Sequence, residues 1–304
     1  YWDDEKKNHV KRLSKKIFDL VIANDILALP LALAIADGRS KVYFDAHEYH
    51  PREWEENLKW NLLYKNYTQH LCRKYIPRAD AFSTVCESIA TEYEKFLGRK
   101  PIVITNATNY EELIPSETQE NKIRIVHHGA SIPSRKIEEM IDVMRYLDER
   151  FSLDLMLMES NAGYYSQLKK HAAGNSRITF VAPVKQNEIC KAINTYDIGM
   201  YILHPSNFNN RFALPNKIFD FIQARLCIAV SPSPEMARIV EENNLGVVAK
   251  DFSPKAMAHA INNLTKEKIM YHKNQAHKNA KDLSSEENVR KINGLVVRLT
   301  SNQS

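Results

Sequence analysis

Three short segments carry the residue types that chemistry needs. The first is His127-His128-Gly129-Ala130-Ser131-Ile132-Pro133-Ser134-Arg135-Lys136. It follows an apolar run and is expected to form the turn that opens a helix. Gly129 lets backbone approach a ligand closely. A helix start offers free N–H groups and the positive end of a dipole. Arg135 and Lys136 add fixed charge, and a guanidinium grips phosphate with two donors. The chemistry this suits is diphosphate binding. The plain alternative is a solvated basic helix start, with His128 satisfied at a strand end.

The second segment is Asn209-Asn210-Arg211-Phe212-Ala213-Leu214-Pro215-Asn216-Lys217-Ile218-Phe219-Asp220. Pro215 fits the first position of a helix. Asn216 and Lys217 then lie in its first turn, where an anion meets backbone N–H groups. Asp220 follows one turn later, near the face of Asn216. A carboxylate there suits a ribose diol; a cap plus a surface ion pair is the simpler alternative. The third segment is Phe44-Asp45-Ala46-His47-Glu48-Tyr49-His50. Its histidines and carboxylates suit acid/base work, but the spacing is not HExxH, and a metal is not expected. No clear second acid/base group stands beside His47.

These segments need strand ends to hold them. Short apolar runs alternate with longer amphipathic stretches, the pattern of βα units around parallel sheets. Strands are expected at 20–23, 41–44, 81–85 and 102–104, and again at 122–127, 153–158, 177–181, 198–203, 227–230 and 246–249. Helices are expected at 27–36, 52–76, 134–150, 164–173, 186–196, 215–225, 234–243 and 254–264. The boundaries that follow are a first domain at 1–109, an acidic linker at 110–121, a second domain at 122–284 and a terminal helix at 285–304 returning to the first domain. In doubly wound sheets ligands bind beyond the carboxyl ends of the strands, where all three segments fall.

Composition removes several classes. The 304 residues are 44% hydrophobic and 26% charged, which is globular rather than disordered. A net charge of +5 is too small to argue nucleic-acid binding. Cys72, Cys86, Cys190 and Cys227 form no CxxC pair, so neither a zinc site nor a redox dithiol is indicated, and unpaired thiols suit a cytoplasmic location. No GxGxxG or P-loop pattern occurs. The apolar stretch 17–36 contains Asp19, Asn24, Asp25 and Pro30 and is read as a strand and core helix, not a membrane span.

Taken together the segments resemble the GT-B glycosyltransferases of the family 4-like group. Val21 to Ala32 looks like that family's strand and following helix, and Asp45-Ala46-His47-Glu48 is similar to its "DAHE" segment. Ala79 to Cys86 resembles its "ADxxxxVS" strand, and Ile104 to Ala107 its "xPNG" turn. His128-Gly129 with Arg135, Leu214 to Phe221, and Ala229-Val230-Ser231 complete the match, which covers most of the chain. The resemblance implies an α/β fold of two Rossmann-like doubly wound domains facing across a cleft, the first incomplete at its N-terminus. It implies a nucleotide-diphosphate-sugar as co-substrate, no further cofactor or metal, and transfer to a glycan or lipid-linked acceptor with retention of configuration. Arg135 would hold the donor diphosphate, Lys217 and Asn216 its phosphate or sugar, and Asp220 its ribose. The loop from Val181 to Val184 would meet the base. Gly129, Ala130, Asn210, Leu214 and Pro215 complete the donor-binding set, and His47 would lie near the transferred sugar or the acceptor. With Arg135 and Lys217, His47 makes up the expected catalytic group. Ala130 stands where many members carry arginine, Glu159-Ser160 replaces a "GDG" turn, and Phe212 and Asp220 replace two glutamates eight positions apart.

Two other functions fit the same fold: a sugar-nucleotide epimerase and a non-catalytic nucleotide-binding module. The basic stretch 6–16 has two readings, a solvated helix face or a contact with an anionic membrane; the second would place the protein at the inner face of the cell membrane in surface polysaccharide or glycolipid synthesis.

Overall fold

The computed structural model describes residues 2–301. Its chain divides into two compact units. The first holds residues 2–105, Ser206–Phe212 and 288–301; the second holds Asn106–Pro205 and Ala213–Glu287. The division therefore departs from 1–109 and 122–284. Residues 106–121 are part of the second unit rather than a free linker: Thr118 Oγ1 donates to Asp197, Ser116 Oγ to the Asn194 carbonyl, and Glu111 N to Gln223.

The first unit is built on a parallel sheet of β1 (Leu20–Asn24), β2 (Lys41–Ala46), β3 (Ala81–Thr84) and β4 (Ile102–Val103), in that spatial order. The order runs in one direction across these four strands. Side-chain alternation divides its two faces. Phe44 and Phe82 stack on one face, with Tyr93 of the helix Glu87–Leu97 edge-on to Phe82. Tyr43 and Ala81 face the other way and pack with Leu295 of the helix Ser285–Thr300.

The second unit carries six parallel strands: β5 (Ile123–Ala130), β6 (Phe151–Met158), β7 (Ile178–Val181), β8 (Ile198–Tyr201), β9 (Cys227–Val230) and β10 (Gly246–Val248). Their spatial order is β10-β9-β8-β5-β6-β7. Renumbered within the unit this is 6-5-4-1-2-3, the dinucleotide-fold order, and its direction reverses between β5 and β8. Ile125, Val126, Leu153, Leu155, Ile198, Met200 and all of β9 are buried, as continuous apolar strands covered on both faces should be.

Two local expectations change. The turn expected at 127–136 is strand as far as Ala130, paired with β6 through Ala130↔Met158. The short 3₁₀ turn Pro133–Arg135 follows, and the helix starts only at Ile137. That helix ends at Val143 rather than Arg150, because the next backbone bonds tighten to i→i−3 (Met144 to Ile141, Arg145 to Asp142, Tyr146 to Val143).

Candidate functional site

The reversal point of the six-stranded sheet gathers the second unit's candidates. β5 delivers His127, His128 and Gly129 to its carboxyl end, and β8 ends on Tyr201 beside them. Pro215 caps the helix Asn216–Gln223 instead of occupying its first position, and Lys217 lies in the first turn. Gly129 has φ +130, and a Cβ there would sit 2.6 Å from Lys217 Nζ. Glycine is needed because the lysine side chain crosses that point of the backbone. The Lys217 ammonium lies 5.3 Å from the centre of the Tyr201 ring. Arg135 approaches the same tyrosine from the 3₁₀ turn, its Nη1 donating to the hydroxyl at 3.4 Å. Among the described residues neither cation has a carboxylate within 4.0 Å.

Electrostatics follow from that arrangement. Burial, reinforced by the Arg135 charge and opposed by Asp220, pushes the Lys217 ammonium down to about 8. Burial and then Lys217 push His128 down to about 3, and burial holds His127 well below its ordinary range. Both imidazoles are neutral at pH 7. His127 Nδ1 donates to the Met200 carbonyl at 3.1 Å and its ring stacks on Tyr201. The site thus holds two clustered cations over neutral rings, an arrangement that a bound anion relieves.

Asp220 behaves otherwise than expected. It is 9% exposed, its Oδ1 accepts from Thr108 Oγ1 at 2.6 Å, and its Oδ2 lies 3.5 Å from His128 Nε2. Burial raises its pKa against the Thr108 hydrogen bond. The carboxylate is buried against Thr108 and His128, whereas Asn216 at the start of the same helix is exposed. Leu214 is buried and Ala130 ends β5. Val181 closes the edge strand β7, with Val184 in the loop beyond it. Asn210 belongs to the first unit, in the helix Phe208–Arg211, and its side chain donates to Ser206. Tyr201 was not among the expected site residues; its signal is its position as the last residue of the strand beside β5.

The first unit holds a second cluster at the carboxyl ends of β1 and β2. His47 Nε2 lies 2.9 Å from Asp45 Oδ2, and its Nδ1 3.9 Å from Asp25 Oδ1. Asp45 also accepts from Ser83 Oγ, which in turn pairs with the Tyr43 hydroxyl at 2.6 Å. Buried His50 meets Glu53 Oε2 at 2.8 Å through Nδ1, while its Nε2 lies 3.5 Å from Asp25 Oδ1. Burial would raise Glu53, but the His50 hydrogen bond and charge outweigh it and lower its pKa. His47 therefore has the carboxylate neighbour Asp45 that the segment offers, and Asp25 from the end of β1 as a second. A half-exposed imidazole held by a carboxylate is equipped for proton transfer.

No protein-family model matches this chain, and no curated protein does. Solved structures do. TarM aligns with a TM-score of 0.73 at 12% identity, over 97% of this chain and 59% of that one. HepE of Anabaena, solved with UDP-glucose, aligns with a TM-score of 0.71 at 14% identity, over 96% and 82%. Sucrose-phosphate synthase of Thermosynechococcus elongatus aligns with a TM-score of 0.75 at 14% identity, over 99% and 81%. The chain thus spans about three-fifths of TarM's length. The likeness shows the GT-B fold, with two parallel sheets in an α/β chain.

Proposed function

We propose that the protein is a glycosyltransferase that takes a sugar from a nucleotide-diphosphate-sugar. The observation that carries this is the pair Arg135 and Lys217, set around Tyr201 at the reversal point of a dinucleotide-fold sheet. As the glycosidic bond breaks, the leaving diphosphate gains negative charge, and preorganised cations oppose that charge without rearranging. Two fixed cations suit a metal-independent reaction. HepE was solved with UDP-glucose and TarM with UDP, which supports a uridine donor as the first probe. The acceptor, a glycan or lipid-linked sugar, is assigned to the first unit, with His47 as the group nearest the chemistry. Retention of configuration, a cytoplasmic location at the membrane face and a role in surface polysaccharide or glycolipid synthesis complete the proposal.

Incubating the purified chain with UDP-glucose and glycan acceptors, with mass-spectrometric product analysis, tests it. Sugar transfer is expected; tight UDP binding with no turnover across acceptors would leave only a nucleotide-binding module. Product analysis without acceptor separates transfer from epimerisation.

Two results are expected of the wild-type and His47 proteins. UDP affinity weakens as pH rises through about 8, because Lys217 is protonated below that value and neutral above it. Calorimetric titration at pH 7 and pH 9 measures this; equal affinities would remove Lys217 from the site. His47→Ala is expected to lower kcat about 10²-fold while leaving UDP affinity unchanged, as loss of a proton-transfer group does.

A further inference from the structure

We infer that the first unit docks on an anionic bilayer through the exposed face of the segment 58–75. This surface differs from the 6–16 stretch singled out by charge alone, whose Lys6 and Lys7 pair with Asp3 and Asp4. The inference does not depend on the donor site.

The face is continuous. The helices Leu58–Leu63 and Lys65–Tyr75 are joined by regular bonds, Tyr64 N to Trp60 O at 2.8 Å and Thr68 N to Tyr64 O at 2.8 Å. Thr68, Leu71 and Cys72 turn into the core. At 100° per residue the opposite arc carries Leu58, Lys59, Leu62, Leu63, Asn66, His70, Arg73 and Lys74. Its leading part is unusually apolar for a surface: Leu58 is 79% exposed, Leu62 81% and Leu63 62%. Trp54, Tyr64 and Tyr67 are exposed beside it, and such aromatic side chains favour the headgroup level. Its trailing part is a groove of about 490 Å³ lined by Asn66, Gln69, His70, Arg73 and Lys74.

Charge names the occupant. The segment 58–75 contains Lys59, Lys65, Arg73 and Lys74 and no Asp or Glu. The acids just before it have partners of their own: Glu53 meets His50, Glu55 accepts from Phe208 N, and Glu56 accepts from Asn207 Nδ2. A helical segment about 27 Å long with leucines at one end and only positive charge along it matches a surface of acyl chains under anionic headgroups. Leu58, Leu62 and Leu63 enter the acyl boundary, and the basic groove takes headgroup phosphates.

Co-sedimentation of the whole chain with phosphatidylcholine vesicles, with and without phosphatidylglycerol, tests this. Binding is expected only with phosphatidylglycerol, with a blue shift of tryptophan emission. The Leu62→Ser, Leu63→Ser double variant should lower partitioning at least about tenfold, and Lys59→Gln about fivefold, at unchanged thermal midpoints. No binding to anionic vesicles, or equal binding by the double variant, overturns the inference. So does a dimer in light scattering that the double variant dissolves, which would assign the face to a second copy. UDP calorimetry on the same samples reports the donor site separately, so failure of one does not pass for failure of the other.

Discussion

Arg135→Ala is expected to lower kcat/KM for sugar transfer about 10²- to 10³-fold, the loss typical of one preorganised donor at a developing anion. Lys217→Met should lower activity comparably while raising the thermal midpoint. The signs differ because the lysine is functional but unfavourably placed. Its folded pKa of about 8 lies below the ordinary 10.5, so the fold disfavours the charged form. That cost is complete below about pH 8 and is relieved as pH rises towards 10.5. Methionine fills the space without the charge, a gain on the order of 1–2 kcal/mol after discounting for partial exposure. Steady-state kinetics and calorimetric melting measure the two effects. An Arg135→Ala protein with undiminished transfer would place the diphosphate elsewhere, and a Lys217→Met protein with a lower midpoint would show that the ammonium is not strained by its surroundings.

Gly129→Ala is expected to cost both stability and donor affinity. A φ of +130 is poorly adopted by alanine, at about 1–3 kcal/mol, and the new methyl group would meet Lys217 Nζ at 2.6 Å. The lysine must then leave its place over Tyr201. Gly174→Ala is the matched control: its φ is +87, yet nothing lies within 4 Å of the added carbon. Both variants should melt early, but only Gly129→Ala should weaken UDP binding, by about tenfold or more. Equal UDP affinities in the two would detach Gly129 from the site.

Much of this site was legible in the chain. Short apolar-rich runs between turn signals marked the ten described strands to within a few residues, because buried parallel strands are dominated by apolar residues. Gly129, Arg135 and Lys217 were found because each follows a strand. Three features of the second unit were not legible. Tyr201 matters only through the adjacency of β5 and β8, which are far apart in sequence. The burial of Asp220 involves Thr108, a residue that sequence placed in the other domain. The early end of the helix at Val143 was hidden because Met144 and Leu147 remain buried at helix-like spacing while the backbone tightens. In the first unit, the expected 52–76 helix is broken into pieces, one of which starts where Asn57 accepts from Trp60 N, a cap with the usual residue type.

The first unit is discontinuous in the chain. Its face over Tyr43 and Ala81 is closed by Leu295, and Tyr49 N donates to Asn209 from the inserted piece Ser206–Phe212. During translation its four strands emerge early but stay uncovered on one side until the helix Ser285–Thr300 has left the ribosome. Cutting the gene after residue 105 would therefore uncover Leu20, Tyr43, Ala81 and Ile102 on that face, which should promote aggregation, whereas supplying the helix in trans should restore solubility.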